Sequence, residues 1–159
     1  MDKKKLISAI IAQLEKELTT AIAAANASRE AATNEESQPE NEYDTRALEE
    51  SYLAGAYSKR VADLEEQISV FKHVEAKDFT SNDKITSTAL IELEHEGKNQ
   101  FVFLMSKGGG IHCHFDGKMI QVITPSSPLG ETLLGLKEGD FASVEVGDDV
   151  KEYEILKVL

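Results

Sequence analysis

Apolar and small residues recur through the N-terminal half of the chain at alternating steps of four and three. One run is Ile7, Ile11, Leu14, Leu18, Ala21, Ala25, Ser28 and Ala32; a second is Ala47, Ala54, Tyr57, Val61, Leu64, Ile68 and Phe71, with the polar Glu50 in the slot between its first two. Steps of this kind hold one stripe on one face of a helix and are the heptad signature of a coiled coil. No Pro or Gly interrupts the first run, and Gly55 is the weak spot of the second. The intervening TNEESQPENEYDT has no apolar period, contains Pro39 and offers Asp44 or Thr45 as a helix cap, so it reads as a turn. If the helices run antiparallel, six facing pairs, from Ile7 with Phe71 to Ala25 with Ala54, have residue numbers that total 78 or 79, with the midpoint at Pro39. The pattern predicts a hairpin with an arm roughly 45 Å long. Its root carries large apolar residues and its outer part alanine, where helical propensity rather than buried area must sustain it.

After His73 the period falls to two. STALIELE alternates over 87–94, QFVFLMS is a short apolar run, MIQVITP follows a glycine turn, and FASVEV and YEILKVL close the chain, with SSPLGETLLGL as one short helix among them. EGKN, KGGG, DGK, KEGD and VGDD supply turn chemistry between the runs. The expected class is α+β: a hairpin over 1–74 with its tip at about 33–43, a linker over 75–84, and a small antiparallel-sheet domain over 85–159.

Charge narrows the function classes. The chain has 159 residues and a net charge of −12, and both halves are acidic, so autonomous binding to a phosphate backbone is disfavoured. Aromatics make up 6% and Trp is absent, which leaves little for base stacking or an aromatic-lined pocket. Cys113 is the one cysteine; it excludes an intrachain disulfide and fits a reducing cytoplasm. No apolar run approaches the ~18 residues of a membrane span. His112, Cys113 and His114 are candidate metal ligands by type, but on a strand the two histidines share one face and the cysteine takes the other. Lys107 to Gly110 lacks the spacing of a phosphate loop and reads as a hairpin connection.

The predicted tip gathers Glu35, Glu36, Glu40 and Glu42 around Pro39, with Arg29 and Arg46 the nearest cations. Carboxylates so placed suit a hard divalent cation such as Mg²⁺, which keeps water or phosphate in its other positions. An acidic, solvated turn accounts for the same residues. Near the other end, residues 123–159 run as a strand, S-P-L-G, a short helix ending L-L-G, G-D, and two closing strands with Y-E-I. With the long hairpin and acidic tip, this resembles the bacterial Gre transcript-cleavage factors, the GreA/GreB family.

The resemblance implies a coiled coil that enters the secondary channel of RNA polymerase, joined to a small FKBP-like domain. It implies that tip acids, here Glu36 and Glu40 with Glu35 and Glu42 beside them, help the polymerase hold an Mg²⁺ that activates water against backtracked RNA. The chain would have no cofactor of its own, would not be an enzyme by itself and would meet RNA only inside the polymerase complex; a monomer is expected, a dimer being the other state. Ser127, Pro128, Leu129 and Gly130 match the family's docking surface for the polymerase, and read equally well as a capped helix start with Pro at the first position. Lys3, Lys4, Lys5, Lys16, Lys59 and Arg60 could form the family's basic patch or a solvated face. The family's tip reads D-x-x-E-N-x-E-Y, whereas Glu40 to Tyr43 give E-N-E-Y, one residue short and without the upstream Asp. That departure keeps open a non-cleaving regulator that competes for the same polymerase site. A prolyl isomerase of FKBP type is set aside, because its pocket floor needs the Trp that is missing.

Overall fold

The computed structural model describes residues 1–33, 45–147 and 149–159. Helix α1 spans Lys3–Thr33 and α2 spans Arg46–His73. Asp2 starts α1: its Oδ1 accepts the Lys5 N–H at 3.1 Å and its carbonyl accepts from Leu6 at 3.0 Å. Thr45 starts α2, its carbonyl accepting from Glu49 at 2.9 Å while its hydroxyl donates to the Glu49 carboxylate at 2.8 Å. Lys72 and His73 sit in the last turn of α2, where positive charge suits the helix dipole.

The chain divides into two compact units, Ile11–Phe71 and Met1–Ile10 with Lys72–Leu159. In the first, Leu14, Ala21, Ala25 and Ser28 of α1 and Leu64, Ile68 and Phe71 of α2 are buried, and Leu18, Ala54 and Val61 are half-buried. An ion pair of 2.8 Å between Glu17 and Arg60 sets those positions side by side, in line with the antiparallel register. Two seam positions differ from the heptad reading. Ile10, not Ile11, is the fully buried residue of its turn, because Leu6, Ile10 and Leu14 form the stripe. Tyr57 is exposed: its ring lines a shallow groove with Ala21 and Ala24, side chains too small to cover it.

The second unit is built on a six-stranded sheet. Its strands are β1 Leu90–His95, β2 Lys98–Leu104, β3 His112–Phe115, β4 Lys118–Ile123, β5 Phe141–Val146 and β6 Asp149–Val158, and α3 spans Pro128–Leu133. The spatial order is β3-β4-β2-β1-β6-β5. Two tight hairpins put successive residues at positive φ, Glu96-Gly97 between β1 and β2 and Asp116-Gly117 between β3 and β4, the backbone such two-residue turns require. The sheet is antiparallel except for β2 and β4, which pair parallel from Phe101↔Ile120 to Leu104↔Ile123. Since β4 rather than β3 lies beside β2, the triple-glycine segment is a crossover and not the hairpin connection its composition suggests.

Ile91, Leu93, Val102, Leu104, Ile123 and Ile155 form one sheet-domain core, and α3 closes it with Leu133. Residues 74–89 contain no helix or strand, yet Ile85 within them is fully buried in that core. Its N–H donates to Leu136 at 2.7 Å and its carbonyl accepts from Gly135 at 3.0 Å, so this stretch is stitched to the end of α3.

Candidate functional site

The S-P-L-G element forms where β4 ends and α3 begins. Ser127 is the N-cap, with extended backbone (φ −78°, ψ 149°), and Pro128 follows in the first turn. The Ser127 hydroxyl is engaged twice, donating to the Thr124 carbonyl at 2.7 Å and accepting the Gly130 N–H at 3.2 Å. The same Thr124 carbonyl accepts the Ser127 N–H at 2.9 Å. A Cβ on Gly130 would sit 2.0 Å from the Thr124 oxygen and 2.8 Å from Ser127 Oγ, so no other residue fits there without moving backbone. Glycine is required at this position by close approach.

The four docking candidates therefore divide. Ser127 and Gly130 build the turn from within, and Leu129 is half-buried against the sheet core. Pro128 is the exposed member, and Glu131 and Leu134 on α3 and its cap are exposed beside it. Thr124 is the organising residue that sequence reasoning missed. Besides receiving the cap, it lies against the glycine crossover, where a Cβ on Gly109 would meet its Cγ2 at 3.1 Å. The sequence signal was present in T-P-S-S-P, a threonine three positions before the cap serine, at the spacing of a turn.

Glu35, Glu36, Glu40 and Glu42 lie outside the described residues. Among the described residues no group of three or more His, Cys, Asp and Glu side chains is placed to hold a metal ion. On β3, His112 and His114 are exposed while Cys113 faces inward, as strand alternation requires, and burial pushes the Cys113 thiol above its ordinary pKa. The six cations of the arm and its root do not act alike. Lys3 is buried and holds main-chain oxygens, Arg60 is paired with Glu17, and Lys5 lies 3.7 Å from Asp2. Lys4, Lys16 and Lys59 are exposed, and Lys16 lines the groove beside Tyr57. Among the described residues no helix is long and apolar enough to cross a membrane.

Comparison with known proteins places these features in a context. Residues 116–159, which contain β4, the Ser127 cap, α3 and both closing strands, match the family model described as Transcription elongation factor, GreA/GreB, C-term. The chain is 28% identical over 118 residues to transcription elongation factor GreA of Thermoanaerobacter pseudethanolicus, covering 74% of this chain and 69% of that protein. It is 26% identical over 139 residues to transcription elongation factor GreA of Verminephrobacter eiseniae, covering 87% and 79%. Among solved structures, GreA factor homolog 1 (Gfh1) of Thermus thermophilus aligns with a TM-score of 0.38 at 19% identity, covering 98% of this chain and 94% of that one. From its C-terminal signature and its GreA relatives, the chain resembles the bacterial Gre transcription elongation factors, GreA/GreB family.

Proposed function

We propose that this chain is a Gre-like transcription elongation factor of the bacterial cytoplasm that binds RNA polymerase, enters its secondary channel with the helical hairpin and promotes cleavage of backtracked RNA. The observation that carries this reading is the match of residues 116–159 to the GreA/GreB C-terminal family, over a segment whose cap tolerates only glycine at Gly130. The sheet domain docks through the surface around Pro128, with Ser127, Leu129 and Gly130 holding its shape. Glu36 and Glu40, supported by Glu35 and Glu42, are the residues that would share an Mg²⁺ with the polymerase. That ion would supply the second metal of a two-metal hydrolysis, activating water near the RNA phosphate. The protein has no cofactor of its own in this reading and acts as a cofactor of the polymerase, not as an enzyme.

The test is a stalled, backtracked polymerase complex with labelled RNA. Adding the protein should shorten the transcript, the protein alone should leave free RNA intact, and Glu36→Ala with Glu40→Ala should abolish the shortening. Unchanged shortening in that double variant would refute the tip assignment. A second reading is favoured by the tip itself, where E-N-E-Y is one residue short of the family's motif and a displacement of about 1 Å can reduce a rate 10²-fold. A non-cleaving competitor would leave the transcript intact and, added first, would block an authentic cleavage factor.

A further inference from the structure

Among the described residues Lys3 is the buried cation. It is 7% exposed, in the first turn of a helix whose neighbouring Lys4 and Lys5 are in solvent. Its Nζ donates to three main-chain oxygens from three separate segments: Lys77 after α2, Thr88 at 3.2 Å in the approach to β1, and Leu159 at 2.8 Å beyond β6. The Phe79 ring centroid lies 4.8 Å from the same nitrogen. An ammonium has three N–H donors, so the number of acceptors matches the donor capacity of the charged form.

One acceptor is itself unusual. Thr88 is a buried, β-branched residue at φ 73°, in the left-handed region that such side chains avoid. All its polar groups are occupied: its N–H donates to Leu104 at 2.8 Å, its hydroxyl accepts the Lys77 N–H at 3.1 Å, and its carbonyl receives Lys3. Such backbone persists where its surroundings fix it from several sides.

We propose that Lys3 is a latch, a conformational device that fastens the first turn of α1 within the sheet-bearing unit by gathering these three oxygens, and whose loss frees that turn without melting the sheet. Burial pushes the Lys3 ammonium below the ordinary lysine pKa, and the nearby Asp78 carboxylate opposes that shift. The latch therefore holds a desolvated cation whose compensation is the set of oxygens around it. A methionine of similar length would fill the space and remove the Lys3 donor from all three oxygens, of which the Leu159 oxygen keeps the Leu90 N–H at 3.0 Å.

Hydrogen exchange of the free chain, with no polymerase present, tests this independently of the proposed function. In Lys3→Met, the Leu6 amide of the first turn and the Lys77 amide beside it should exchange about tenfold faster or more, the scale of lost buried hydrogen bonds. The Gly110 and Val122 amides, which close the β3–β4 end of the sheet, should keep their wild-type rates, and Lys4→Met should change neither set. Wild-type exchange at both amides in Lys3→Met would overturn the proposal. So would acceleration of equal size at Gly110 and Val122, which marks general destabilisation. If Lys3→Met does not fold, Lys3→Gln, which keeps a neutral donor, is measured against the same two criteria.

Discussion

The unit carrying the sheet and the unit formed by residues 11–71 are stabilised on different terms. In the sheet, burial is continuous: Ile91, Leu93, Leu104 and Ile155 are fully buried, and the α3 cap is so close-fitting that a single methyl has no room at Gly130. In the hairpin, burial fades along the arm. Leu64 is fully buried, Ala21 and Ala25 continue the seam with little area, and beyond them Leu53 and Tyr52 of α2 are 47% and 73% exposed. Each large side chain buried contributes about 1.5–3 kcal/mol, so the sheet and the hairpin root hold themselves, while the outer arm depends on helix propensity.

The sharpest attack on this contrast is Gly130→Ala. With a Cβ forced against the Thr124 carbonyl, it should destabilise the sheet domain by about 3 kcal/mol or more, read as a fall in the denaturation midpoint; a change below about 1 kcal/mol would mean that the cap yields. A comparison within α2 is next in size. Leu64→Ala should cost about 2–5 kcal/mol, against within about 0.5 kcal/mol for Leu53→Ala, and equal effects in chemical denaturation would erase the distinction between root and outer arm. The smallest effect has the opposite sign. Gly55 lies inside α2 with open space where a Cβ would go, so Gly55→Ala should stabilise the arm by about 0.5–1 kcal/mol, visible as increased helicity on heating.

Periodicity carried much of the architecture because the two halves keep different periods, heptad steps in one and alternation in the other. The hairpin, its antiparallel register and the short helix among strands follow from spacing alone. What periodicity could not convey was neighbourhood. Ile10 and Ile11 are equally apolar, and only the stripe through Leu6 and Leu14 decides between them. The parallel pairing of β2 with β4 leaves no mark in either strand, since alternation is the same for both directions. At the candidate site the residue types were legible, but not their division of labour: Ser127 and Gly130 face each other across a turn organised by Thr124, two elements of structure around one exposed proline. Lys3 looks like its basic neighbours in the sequence, because nothing local distinguishes a lysine that turns inward toward residues 74 to 156 positions away.

The parallel pair has a consequence for how this sheet assembles. A chain that closed only hairpins could zip β1 to β2 and β3 to β4 from their tight turns within microseconds. Neither event makes the β2–β4 ladder, which joins Phe101 to Ile120 and needs the finished β3–β4 hairpin to swing round and dock by its β4 edge. Loop-closure entropy must be met before that contact returns anything, and the glycine crossover of residues 105–111 is the segment that has to bend to allow it. The three glycines in it thus serve the joining of two hairpins into one sheet, and not only the shape of a turn.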